Sequence, residues 1–479
     1  MNPLKQIIFS ATILLIASQI ALPLEKTELK LAEVPLTLDQ AVTTAIESNR
    51  QLQQAGHDFI AAERKISETR SMFEFKLSAD GSWQRVHDSS SFAMATYPPA
   101  DISGYFATSA LVVPQGTPIY VANPQPNIIT RPLSAQQTRS LDLTLSKPLL
   151  TFGKKRDSIR LRRRERDVQS LEVRRTELDV ILKTKDAFFN YLLAKRSAEV
   201  MEKTLKLEEE HLDAAKKREE QGTIPHFDVI RAEVGVATAK ENLNRVETGR
   251  DLARMTLNNV LGLPVERPTN VSFDTGNIAM PELAPVEDYI QAALKNRAEL
   301  GQLGLAVEQA GIGARLTKNK PTVAFALLYN LISSGSAFSS ENTFRYVVSY
   351  QADIIDSGVA HAKIAQAKQT VEKLKLQKTD LREGVILQTH QSYLNLIEAG
   401  KRLDTSRAIM NQATTAREMA DIGHEQGVTS EIDWKDALHG EVQAGLNLAQ
   451  AEYDLEMAKA RLANAIGKSE FDDLDSENQ

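Results

Sequence analysis

Arg218–Ala232 reads REEQGTIPHFDVIRA, and Asp421–Ala437 reads DIGHEQGVTSEIDWKDA. In both, a long charged helical pattern halts at Gln-Gly and a new one starts a few residues on. Gln221, Gly222, Asp228 and Ala232 fall on Gln426, Gly427, Asp433 and Ala437, each pair 205 residues apart. Glycine supplies the φ > 0 closure of a helix, Pro225 a first-turn φ, and the acid a partner for the helix N-terminal dipole. These are the tips of two helical hairpins. Two tips at one fixed offset mean a duplicated chain.

Working outward, each tip is the end of a long helix followed by a shorter one. The first repeat spans 23–270: a helix at 36–75, strands at 76–86 and 140–150, a long helix at 154–220 and a short one at 225–261. The second spans 271–467: a helix at 285–318, strands at 322–332 and 343–354, a long helix at 359–423 and a short one at 430–466. Ile159, Leu171, Val180, Asn190 and Ala194 of the first long helix fall on Ile364, Leu376, Val385, Asn395 and Ala399 of the second. At 1.5 Å per residue each would be ~100 Å long, a length that packs as a coiled coil. Both short helices close on a glycine, at Leu261-Gly262 and Ile466-Gly467. Leu38, Val42, Ala45 and Ile46 give the opening helix its apolar stripe, with Thr37 placed to cap it.

Between the helices the period changes to two. Leu77, Ala79, Gly81 and Trp83 alternate with Ser78, Asp80, Ser82 and Gln84, and Phe344, Tyr346, Val348 and Tyr350 with Arg345 and Ser349. Four such strands of about ten residues have the length of transmembrane β-strands, with the apolar set facing lipid. The first strand pair is joined by a long Ser/Pro/Gly/Tyr-rich link at Ser89–Arg131, the second by a short one at Ser333–Glu341.

The 479 residues carry a net charge of −6, with no general reason to bind nucleic acid, and no cysteine. That excludes disulfides, thiolate metal sites, a cysteine nucleophile and a lipidated cysteine anchor. Met1–Leu22 reads as a secretory signal: Lys5 precedes an apolar run at Ile7–Ala17 that is too short to span a bilayer. Residues 468–479 form an acidic tail, read as disordered. Eight Lys/Arg crowd Lys154–Arg166, a superficial likeness to a basic DNA grip that the signal and the strands oppose; a solvated or headgroup-facing cluster is the better reading. The histidines hold no ligand spacing, and Gly311-Ile312-Gly313 lacks the strand and third glycine of a nucleotide loop. No catalytic residue, metal or cofactor is expected, and the chain is not read as an enzyme. Asp433 and Asp436, spaced i, i+3 just inside a helix start, read by themselves as partners of the helix N-terminal dipole; Phe227 and Trp434 read as packing residues.

The order of helix, strand pair, long helix, glycine tip and short helix, duplicated, resembles the TolC family of outer-membrane efflux and secretion channels. LTLDQAVTTAIESNRQL at Leu36–Leu52, VEDYIQAALKNRAEL at Val286–Leu300, EQGTIPHFDVIRA, EQGVTSEIDWKDA and the two Leu/Ile-Gly ends carry it. The resemblance implies a mainly α fold with a β-barrel portion: long antiparallel hairpins building a periplasmic α-barrel, and four strands per protomer in a twelve-strand barrel of a homotrimer. It implies a passive exit duct coupled through a periplasmic adaptor to an inner-membrane pump or ABC transporter, in contact with outer-membrane lipid and not with nucleic acid. It puts Asp433, Asp436 and Asp228 at a pore constriction. Adaptor docking falls to Gln221, Gly222, Thr223, Ile224, Gln426, Gly427, Val428 and Thr429. Thr429 stands where the family has an arginine that locks the closed gate. Four strands cannot close a barrel alone, which supports several chains sharing one. A non-transporting coiled-coil envelope protein is the alternative.

Overall fold

The computed structural model describes residues 35–85, 91–96, 127–132, 137–273, 278–318, 320–334, 342–352, 355–426 and 428–470. The expected signal at 1–22, most of the acidic tail, and Gly427 lie outside them. In chain order the elements are α1 (Leu38–Ser48), α2 (Arg50–Ser71), β1 (Lys76–Arg85), β2 (Ser91–Thr96), β3 (Asn127–Pro132), β4 (Gln137–Leu150), α3 (Lys154–Glu220) and α4 (His226–Val260). The second half gives α5 (Val286–Asn296), α6 (Ala298–Leu316), β5 (Thr322–Ser334), β6 (Thr343–Gln351), α7 (Val359–Glu425) and α8 (Glu431–Ala465). Among the described residues no helix is long and apolar enough to cross a membrane.

The opening helix expected at 36–75 is two helices. Thr37 caps the first in a capping box with Gln40. Asn49 ends it in extended backbone, and its Oδ1 then accepts from Gln51 N at 2.9 Å, capping α2. Its Nδ2 donates to the Val260 carbonyl at 2.8 Å, tying the break to the end of α4. A capping asparagine with a distant carbonyl to satisfy outweighs the modest gain of one more helical residue. The helix expected at 285–318 breaks in the same place of the repeat, at Arg297, which donates to the Asn464 carbonyl at 3.3 Å.

The chain divides into two compact units. The first holds the described parts of 1–62, 164–308 and 371–479. Its apolar interior is built twice. Ala41, Ala45, Val180, Leu257 and Leu261 form one cluster; Tyr289, Ala293, Val385, Leu462 and Ile466, their counterparts in the repeat, form the other. Gly262 (φ +74°) and Gly467 (φ +76°) end α4 and α8. A Cβ on Gly262 would collide with the Ser48 carbonyl, and one on Gly467 would lie 3.0 Å from that of Asn296. Glycine is required there both for the left-handed turn and for the approach of the short helix end.

The second unit holds the described parts of 63–163 and 309–370. Its sheet is antiparallel in the order β1-β4-β5-β6. The register lines the apolar sets up on one face: Ala79 opposite Leu143, Leu143 opposite Tyr329, and Tyr329 opposite Phe344. On the other face Asn330 donates to Asp142, and Ser82 and Ser140 share a 2.8 Å hydrogen bond. β6 ends at Gln351, short of the expected 354; residues 353–354 lie outside the described set. A second hairpin, β2 against β3, occupies the long link and was not signalled by alternation. Both strand-to-helix turns place two successive residues at positive φ: Phe152 and Gly153 (44° and 90°), and Ser357 and Gly358 (50° and 87°).

Candidate functional site: the hairpin tips

At the first tip α3 ends in a Schellman closure: Thr223 N donates to Arg218 O at 2.9 Å and Gly222 N to Glu219 O at 2.8 Å, with Gly222 at φ +72°. Gln221 and Thr223 are exposed, whereas Ile224 packs with Leu212, Ala215, Val229 and Ala232. Phe227 stands exposed with the Arg231 guanidinium 4.9 Å above its ring. Asp228 is half-buried in the first turn of α4.

The second tip closes on Gly423, the expected end of the long helix, although α7 runs on to Glu425. Gly423 O accepts from Val428 N at 2.8 Å and Thr429 N at 3.0 Å, and Thr429 Oγ1 fills the space a Cβ on Gly423 would need. Gln426 and Val428 are exposed, Val428 to 81%. Ser430 caps α8: its Oγ accepts from Asp433 N at 3.2 Å and donates to the Asp433 carboxylate at 2.7 Å. Asp433 therefore does hold the helix start. Asp436, one turn on, is exposed and has no partner among the described residues.

Trp434 lies buried, and its role exceeds packing. Its Nε1 donates to Asp421 Oδ1 at 2.7 Å, and Asp421 pairs with Arg417, whose guanidinium sits 5.1 Å over the indole. His424 stacks on the indole at 5.4 Å, and His211 from α3 tilts against it at 5.3 Å. His211 Nε2 bonds Glu431 Oε1 at 2.9 Å, and Lys435 lies 3.6 Å from the buried Glu208 of α3. Burial, reinforced by Lys435, holds the His211 pKa below the usual imidazole value. The repeat makes the contrast informative. Leu212 and Val229 of the first tip occupy the positions of Arg417 and Trp434 in the second. One tip is closed by an apolar cluster, the other by a polar and aromatic one that also reaches the first hairpin.

That reach continues along the seam between α3 and α8. Tyr453 OH donates to Asp186 at 2.9 Å, and burial together with this carboxylate pushes its pKa up to about 12. Arg196 pairs with Glu452. With His211–Glu431 these contacts run antiparallel over ~38 Å of helix. The basic cluster at the start of α3 is partly spent on ion pairs, Lys155 with Glu74 at 2.8 Å and Arg164 with Glu308 at 2.9 Å. Among the described residues no group of three His, Cys, Asp or Glu side chains could hold a metal ion.

The comparisons with known proteins agree with this architecture. The chain is 23% identical over 345 residues to the outer membrane efflux protein BepC of Brucella suis, covering 70% of this chain and 74% of that one. The fold is similar to the Campylobacter jejuni CmeC outer membrane channel, with a TM-score of 0.69 at 14% identity, over 92% of this chain and 88% of that one. It is also similar to the outer membrane protein VceC of Vibrio cholerae, with a TM-score of 0.64 at 14% identity, over 91% and 97%. The family model for outer membrane efflux proteins matches residues 41–263 and 289–468, taking in both tips and both glycine-ended short helices. The chain therefore belongs to the outer membrane efflux protein family, whose members are outer-membrane channels and not enzymes.

Proposed function

We propose that this chain is one protomer of a homotrimeric exit duct, coupled through a periplasmic adaptor to an inner-membrane pump or ABC transporter. The sheet carries the proposal. β1 and β6 are each paired on one side only, and one face of all four strands is apolar. A bilayer tolerates no open sheet edge, so the edges must meet those of other copies. Twelve strands from three copies is the number the family resemblance gives.

The helices support the same ring. α3 is zipped to α8 within the chain, which leaves the flanks of α4 and α7 to meet neighbours. Both flanks expose apolar side chains at helical spacing, Ile230 and Val234 on α4, Leu387 and Leu394 on α7. Asp433, Asp436 and Asp228 then ring the periplasmic constriction, and the turns at 221–224 and 426–429 meet the adaptor. Substrate moves passively, since no chemistry is assigned to any side chain. Fractionation and planar-bilayer recording test this. The protein should enter the outer membrane and conduct ions; an electrically silent protein would favour the coiled-coil envelope spacer instead.

A further inference from the structure

The apolar face of the sheet is bounded differently at its two margins. At the margin next to the helices, Lys147 lies 4.3 Å over the Phe75 ring and 3.5 Å from Glu74, which Lys155 also bonds. Cation and aromatic are paired there, and the charge is neutralised inside the chain. At the opposite margin, where the chain enters the long link, Arg139 lies across from Trp83 in the register, with Arg85 on the same face two residues along. All three side chains are exposed, Trp83 to 65%. Among the described residues neither arginine has an ion-pair partner, and no Asp or Glu occupies that face of β1, β4, β5 or β6.

We infer that Trp83, Arg85 and Arg139 form a seat for the phosphate groups of an anionic glycolipid of the outer leaflet. The inference rests on the lipid-facing assignment proposed above. A guanidinium matches phosphate oxygens bidentately, and an indole at the headgroup level offers a flat apolar wall beside them. The helix-side margin carries its own counter-acid; among the described residues this margin has none on the apolar face, and the membrane supplies the anion. The chemistry selects phosphate over a zwitterionic headgroup, whose own ammonium competes for it.

The test is lipid retention by the purified full-length protein in mixed micelles, read by native mass spectrometry. The probes are diphosphorylated lipid A, its dephosphorylated form and phosphatidylethanolamine. The assembled protein should keep the diphosphorylated form in preference to both others. R85Q/R139Q should lose that preference by roughly twenty-fivefold, at about fivefold per arginine near an anionic surface. R85K/R139K, which keeps the charge but not the fork, should fall between R85Q/R139Q and the unmodified protein, and K147Q should leave the preference unchanged. Equal retention of phosphorylated and dephosphorylated lipid by the unmodified protein overturns the inference without any variant. So does full retention by R85Q/R139Q. A protein that assembles in the outer membrane yet shows no preference refutes this seat alone; one that never reaches the membrane refutes the duct.

Discussion

Introducing an arginine on the outward face of the sheet should cost an amount set by its depth, and the register gives that depth. On β4 the apolar run lies between Arg139 and Lys147. Eight residue steps at ~3.3 Å make about 26 Å of strand, close to the ~25 Å band of a membrane barrel before tilt. Leu143 is at its centre, level with Ala79, Tyr329 and Phe344. Val348, which the alternation alone suggests as a midplane residue, pairs with Phe325 and so lies level with Lys147, at the margin. Leu143→Arg should therefore cost ~2–4 kcal/mol per protomer, and Val348→Arg no more than ~1 kcal/mol. Thr144→Arg, on the opposite face, should be tolerated. The cost at Leu143 corresponds to about 30- to 1000-fold in the folded fraction. Urea titration of folding into phospholipid vesicles, followed by heat-modifiable migration, reads all three variants. Equal losses for L143R and T144R would mean that the faces are misassigned. Equal losses for L143R and V348R would mean that the depth is.

Three further outcomes follow from the same geometry. The lowered pKa of His211 means that stability present above the ordinary imidazole pKa is lost as pH falls through the lower folded value; hydrogen-exchange protection around 208–211 and 431–435, taken relative to the intrinsic exchange rate at each pH, should fall on going from pH 7 to 5, and His211→Gln should abolish the change. Gly262→Ala should destabilise more than Gly222→Ala: both sit at positive φ, worth ~1–2 kcal/mol, but only at Gly262 does the new methyl meet the Ser48 carbonyl. Thermal unfolding with equal shifts would dismiss the close approach as a constraint. Asp433→Ala/Asp436→Ala should flatten cation selectivity and relieve block by multivalent cations in single-channel records, because up to six carboxylates focus a negative potential on one axis. Unchanged selectivity would leave only the Ser430 cap to Asp433.

Periodicity made most of the fold legible. The change from steps of three and four to steps of two marks the strands, and the 205-residue interval marks the hairpins, because both record a face that must be buried or lipid-exposed along a whole element. What was illegible depends on partners far along the chain. Asn49 and Arg297 look like ordinary polar positions of an amphipathic helix until the Val260 and Asn464 carbonyls stand beside them. Phe152 and Ser357 give no warning of positive φ, although each precedes a glycine at the same point of the repeat. Trp434 reads as packing because Asp421, Arg417 and His211 come from two other helices. One signal was available: at the repeat offset, Leu212 and Val229 become Arg417 and Trp434. A paired loss of apolar character inside a duplicated core marks a place where the two copies do different things.

The central claim is that several copies pool their strands into one barrel, and the absence of cysteine makes it directly testable. In one chain β1 and β6 lie at opposite edges of a four-stranded sheet, about 14 Å apart. A disulfide spans no more than ~7 Å between Cα atoms, so a β1–β6 bond can form only between copies. Ala79→Cys, combined in turn with Cys at Phe344, Tyr346, Val348 and Tyr350, should be oxidised in isolated outer membranes and resolved without reductant. The account predicts that at least one pair gives a ladder of monomer, dimer and trimer that stops at three. Monomer alone for every pair, or a ladder running past three, would contradict it.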